Sequence, residues 1–230
     1  MKRFWAAAAV VADGAGWAIQ LDGRAVRTPA RAMLTVASKP LAEAIAGEWA
    51  AVGDSVEPGS MPLTELANAA IDHVAPDPNA FAAGLAKYAE GDLFCYLAEG
   101  PPKLVDRQAE HWDALLNWAR RRFDIDFATT QGLLHIAQPA ATVERLAHAV
   151  AFLDAFRLAG LAPLVTIGGS LVAALAVLEG AVTAEQAWAA VCIDEAWQIE
   201  QWGDDAEAVA AMAGRRREFL AAARFLELLG

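Results

Sequence analysis

Cysteine occurs only twice in this sequence, at Cys95 and Cys192, each among apolar neighbours and far apart along the chain. That excludes a disulfide-framed scaffold and points to two separate, reduced thiols in a reducing compartment. No Cys-x-x-Cys pair is present. The four histidines, His73, His111, His135 and His148, form no i, i+4 pair and show no spacing typical of a metal site. His111-Trp112-Asp113 reads as a half-buried helix histidine. No serine sits in a nucleophile elbow. The turn Gly168-Gly169-Ser170 has no lysine placed to reach a phosphate, so it reads as close helix packing. Positive charge is also short: 18 Lys and Arg stand against 29 Asp and Glu, a net charge of -11. A nucleic-acid binder or a protein lying on an anionic membrane normally presents a basic face, and this chain has too little positive charge for either.

What is abundant is alanine, within a hydrophobic fraction of 57%. Ala loses the least side-chain entropy on entering a helix, so the composition is helix-rich. Two apolar stretches admit a membrane reading. Met1-Lys2-Arg3 before Phe4 to Ala12 has the shape of a short signal peptide, but its core is Ala and Val rather than Leu. The turn signal Asp13-Gly14, followed by the alternating Trp17 to Leu21, favours a strand there. Leu158 to Leu178 carries no charge and is long enough to span a bilayer. Its Gly160, Pro163, Gly168, Gly169 and Ser170, and the lack of a flanking basic run, favour a buried central helix.

The pattern divides near Pro76-Asp77-Pro78, giving residues 1–76 and 77–230. The first part predicts strands over Phe4 to Val11, Trp17 to Leu21, Arg24 to Thr28 and Met33 to Val36, separated by Asp-Gly turns. Two helices follow, one entered at Pro40 with Leu41, Ile45 and Trp49 inward, the other beginning near Pro62. Beyond the prolines every periodic segment is helical. Lys103 to Phe123 carries a stripe of Leu104, Gln108, Trp112, Leu115 and Ala119. Thr142 opens a helix to about Ala159, and a Thr183/Gln186 capping box opens another to about Gln201. Asp204 with Glu207 reads as the cap of a last helix bearing Phe219, Phe225 and Leu228. The fold class is therefore α+β: a small strand-rich N-terminal domain, then an all-helical orthogonal bundle.

One chemical concentration stands out. From Ala181 to Gly214 there is no Lys or Arg, while Glu185, Asp194, Glu195, Glu200, Asp204, Asp205 and Glu207 all fall there. Asp194, Gln198 and Gln201 share one helix face, with Trp197 and Glu200 on an adjoining one. Acids without basic neighbours on their own segment lack intrahelical salt bridges. Interleaved with Trp188, Trp197 and Trp202, they have the composition of a recognition surface as well as that of a solvated face. Arg120-Arg121-Arg122 closes a helix, where cations complement the dipole. Both it and Arg215-Arg216-Arg217 read as solvated faces.

Dispersed motifs then converge. Leu21-Asp22-Gly23-Arg24, Thr28-Pro29, Glu48-Trp49, Met61-Pro62-Leu63-Thr64, Asn68 and Ala70-Ile71-Asp72 occur in this order in the first half. Tyr88, Asp92-Leu93, Cys95-Tyr96, Gln108, Trp112, Leu116, Trp118 and Gly169-Ser170-Leu171 follow. The most specific stretch is the unbroken run from Asp194 to Asp205. Together they resemble the ATP synthase assembly chaperones that bind the alpha subunit, over nearly the whole chain. The resemblance implies a non-enzymatic protein that shields the unassembled alpha subunit of the F-type ATP synthase until the beta subunit replaces it. It implies no cofactor, no nucleotide, no nucleic acid and no membrane insertion. It places partner binding at Asp194, Glu195, Gln198, Glu200, Trp202 and Asp204. The chain starts directly at its first strand, as a bacterial, cytoplasmic member would. Two other classes remain open: an acidic adaptor for a different protein, and an enzyme using carboxylates such as Asp194 and Glu195 at a site between the domains.

Overall fold

The computed structural model describes residues 2–57, 59–203 and 205–230. Its elements run β1 (Ala8–Asp13), β2 (Gly16–Leu21), β3 (Arg24–Ala25), β4 (Thr35–Val36), α1 (Lys39–Ala51), α2 (Pro62–Ala69), α3 (Pro78–Ala86) and β5 (Tyr96–Leu97). They continue with α4 (Pro102–Phe123), β6 (Thr130–Gln131), α5 (Ala140–Ala151), α6 (Ala155–Gly168), α7 (Leu171–Leu178), α8 (Ala184–Val191), α9 (Ile193–Trp202) and α10 (Ala206–Leu229). A small N-terminal sheet precedes a helical region, an α+β chain. Two compact units result. One comprises Met1–Pro78, Asp154–Gly160 and Arg224–Gly230; the other comprises Asn79–Leu153 and Leu161–Ala223.

In the first unit the Asp-Gly turns set the register. Ala12 faces Trp17 and Ala8 faces Leu21 across the β1–β2 hairpin. Asp22 (φ 48°) and Gly23 (φ 78°) then make the left-handed two-residue turn that suits strand twist, joining Leu21 to Arg24. The Asp22 carboxylate also accepts from the Ala6 and Ala7 N–H groups, which holds its pKa below the ordinary value. This is why the first strand begins at Ala8 rather than at Phe4: residues before it are held by side chains, with Trp5 buried and its indole donating to the Trp49 carbonyl at 3.0 Å. β3 and β4 share the remaining edge of β2. Ser38 caps α1, whose Leu41, Ile45 and Trp49 bury against Ile19 and Leu34. Glu48 on α1 then accepts from the Leu63 and Thr64 N–H groups (2.8 Å each) and the Thr64 hydroxyl (2.6 Å), satisfying the first turn of α2.

The contiguous division at residue 76 differs from the packing, because two later segments complete this core. Phe156 stacks on Phe225 at 6.3 Å, and Leu228 and Leu229 pack against the same cluster. Gly160 lets them close: a Cβ there would stand 2.6 Å from Leu226 and 3.0 Å from Phe225.

The second unit is built around α7, buried from Leu171 through Ala176. The uncharged run from 158 to 178 is therefore two helices, broken where Gly169 takes φ 65° and Ser170 caps α7 by accepting from the Ala173 N–H. Among the described residues no helix is long and apolar enough to cross a membrane. Gly168 does serve close packing, since a Cβ on it would meet Val191 at 3.3 Å and Phe219 at 3.4 Å. Three further expectations are corrected. The helix expected from 142 to 159 stops at Ala151, because Asp154 caps a new one by accepting from Phe156 and Arg157 N–H. The helix expected from 183 to 201 breaks at Cys192 (φ -102°, ψ 13°). And the region is not wholly helical, since β5 and β6 pair in parallel.

Candidate partner-binding site

The acidic segment becomes α9, held down by its buried Ile193 and Trp197. Each of its three carboxylates has a different fixed partner. Asp194, half-buried, accepts from the Gln108 amide at 2.6 Å, and Gln108 itself is anchored by accepting from the Ala98 N–H at 2.8 Å. Gln108 is 1% exposed in the apolar stripe of α4, and its position there is explained by these two bonds. Glu200 accepts both terminal nitrogens of Arg107, at 2.7 and 2.9 Å, a fork-on-carboxylate geometry. The same guanidinium lies 5.2 Å from the Trp197 ring centroid. The bond from Arg107 holds the Glu200 carboxyl below its ordinary range, and in return it raises Arg107. Glu195 pairs with Arg215 at 2.6 Å, and Glu185 on α8 with Arg216 at 3.5 Å.

The absence of Lys and Arg from 181 to 214 thus does not leave Glu200 and Glu195 without cations. Their cations come from α4 and from α10, 93 and 20 residues away. Arg215 and Arg216 are correspondingly ion-paired, not merely solvated. Arg107 is the residue that sequence reasoning missed, and no local signal could have found it, because its partner is assigned only by folding.

Gln198 and Trp202 are solvent-facing, Trp202 at 79% exposure. Asp204 lies outside the described residues; Asp205, just before α10, accepts from the Glu207 N–H at 3.0 Å. Among the described residues no group of three or more His, Cys, Asp or Glu is arranged to hold a metal ion. Both cysteines are free and buried. Burial pushes each thiol up to about 12, with Asp92 adding to the effect at Cys95 and Glu195 at Cys192.

Comparison with known proteins bears on this geometry. Residues 2–120 match the family model described as ATP12 chaperone protein. The chain is 25% identical over 214 residues to "Protein atp12, mitochondrial" of Schizosaccharomyces pombe, covering 88% of this chain and 74% of that protein. The crystal structure of Atp12 from Paracoccus denitrificans matches with a TM-score of 0.94 and 41% identity, over 100% of this chain and 98% of that one. A structure from Agrobacterium tumefaciens matches with a TM-score of 0.94 and 36% identity, over 100% of this chain and 86% of that one.

Proposed function

The chain belongs to the ATP12 chaperone protein family, and from that premise we propose that it binds the unassembled alpha subunit of an F-type ATP synthase until the beta subunit displaces it. At the family level the protein is a chaperone of ATP synthase assembly. The observation that supports the finer reading is the outer face of α9, where Trp202 is exposed beside Gln198 and Asp194 while Trp197 is locked beneath Arg107.

An orphan subunit exposes apolar interface, and such surface aggregates. The chaperone must cover it yet yield. Trp202 supplies amphipathic contact area of the kind that dominates interface energies. Asp194 supplies charge that fixes register and makes association salt-sensitive. Glu195 and Glu200, half-exposed in their pairs with Arg215 and Arg107, hold the face in shape, so little side-chain entropy is left to lose on binding. Asp204 adds a further carboxylate to the sequence of this segment. Beta competes for the covered surface, so release needs no ATP, no cofactor and no catalysis. The bacterial cytoplasm, and the mitochondrial matrix for eukaryotic relatives, is where this would occur.

The test is copurification of the alpha subunit with Asp194→Lys, Glu195→Lys, Glu200→Lys and the remote control Glu144→Lys. Lost binding in the α9 variants with normal melting supports the site. Binding unchanged in all three would remove the site assignment while leaving the family membership intact.

A further inference from the structure

Resting on the reading of the protein as a holder of the alpha subunit, we propose that a groove beside α9 takes a client segment in which a large apolar side chain sits next to a Lys or Arg. The groove lies within the second unit, between α9, the start of α4 and the turn after β6, and has a volume of about 260 Å³. Ligand sites for small molecules run from roughly 300 to 1,000 Å³ and enclose most of the ligand. A smaller, open groove fits one or two side chains of a protein partner.

Its walls and rim are apolar. Leu97, Pro101 and Leu104 line one side, and Trp197 and Trp202 the other. Leu133, also lining it, is 97% exposed, and the adjacent Leu134 is 81% exposed. Two neighbouring leucines in one turn, with an exposed tryptophan on the opposite rim, form a patch that folding leaves uncovered. The turn is shaped to present them: Gly132 takes φ 78°, and its N–H donates to the Leu97 carbonyl at 2.9 Å.

Charge decides what else the occupant carries. Asp194 lines the groove, and among the described residues no cation pairs with it; its partner is the neutral Gln108. Glu99 packs against Gly132, where a Cβ would stand 2.8 Å from its Oε1, and it too has no cation partner among the described residues. Arg107, the cation close to this face, is consumed by Glu200. A groove with apolar walls and uncompensated carboxylates complements an apolar side chain flanked by a cation. Gln108 is a positioning residue, since its bond to the Ala98 N–H aims its amide at Asp194.

The experiment uses denatured alpha subunit diluted into the intact chaperone, with aggregation followed by light scattering. The variants are Leu133→Ser with Leu134→Ser, Trp202→Ser, Trp202→Phe, and Phe152→Ser, an 88% exposed side chain on another turn. All the substituted side chains are exposed, so melting stays at the wild-type temperature. The double leucine variant and Trp202→Ser should raise the half-protective concentration by about tenfold or more. Trp202→Phe, which keeps an aromatic ring, should lose less protection than Trp202→Ser, and Phe152→Ser should protect as wild type does. Protection by wild type should weaken with added salt, and Asp194→Asn with Glu99→Gln should flatten that dependence. Equal protection by every groove variant would overturn the groove and leave the functional reading standing. No protection by wild type would remove the functional reading, and the occupant with it. A wild-type dimer that the groove substitutions dissociate would show that the occupant is a second copy of the chain, which also overturns the proposal. An unchanged salt dependence in the charge variants would overturn its basic half.

Discussion

Replacing Gln108 with leucine removes two hydrogen bonds from a side chain that is 1% exposed. The Ala98 N–H, 2.8 Å from the Gln108 oxygen, loses its acceptor in a half-buried loop, and the Asp194 carboxylate loses a donor at 2.6 Å. Leaving a buried donor unpaired costs about 1–3 kcal/mol. The carboxylate can turn to water at smaller cost, and leucine adds apolar contact beside Leu104 and Trp112 that offsets part of the loss. A net destabilisation of about 1–3 kcal/mol is expected, which for a chain of this size lowers Tm by roughly 2–12 °C. Gln108→Glu separates the two bonds: it keeps an acceptor for Ala98 but sets a carboxylate against Asp194. Both variants should weaken alpha-subunit binding, while only the leucine variant loses the Ala98 bond. Calorimetric melts paired with a binding isotherm check this. Wild-type melting and wild-type affinity in Gln108→Leu would refute the idea that this amide builds the site.

Other expectations follow from the same geometry. Burial raises the Asp92 carboxyl to about 6 from 3.8, so the fold holds its proton to a higher pH than the unfolded chain does. The stability this confers is complete below about pH 3.8 and is lost as pH rises through about 6, so the Tm gap between wild type and Asp92→Asn should narrow across that window. A gap independent of pH would contradict this. Gly160→Val should overpack the contact with Leu226 and Phe225 and cost about 1–3 kcal/mol, seen as a lower denaturation midpoint. With both thiols pushed up to about 12 and buried, alkylation of Cys95 and Cys192 should be slow in the native protein and complete after unfolding. Rapid native labelling, read by intact mass, would contradict that.

The legible parts of this fold are those specified locally. Asp13-Gly14 and Asp22-Gly23 announce their turns because few residues adopt left-handed backbone cheaply, and both hairpin registers follow from them. The Thr183/Gln186 capping box is present with both of its bonds. The stripe on α4 is buried as its period requires. What failed is what depends on distant partners. The helix breaks at Phe152–Asp154 and Cys192 fall inside largely apolar runs through which the helix period continues, whereas Gly169–Ser170 carries a local stop-and-cap signal inside its uncharged run. The recruitment of Asp154–Gly160 and Arg224–Gly230 into the first unit follows from Phe156 meeting Phe225, a pairing that no local pattern encodes. At the site the acids were visible as a cluster, but their cations were not. Arg107 and Arg215 turn two of the expected contact residues, Glu200 and Glu195, into members of intramolecular pairs.

Passive holding of the alpha subunit, as proposed, has one direct test. Denatured alpha subunit, diluted into buffer without nucleotide, should stay soluble in the presence of near-stoichiometric chaperone and pass into a complex with beta when beta is added. Aggregation unaffected by the chaperone, or protection that appears only with ATP and is accompanied by its hydrolysis, would contradict it.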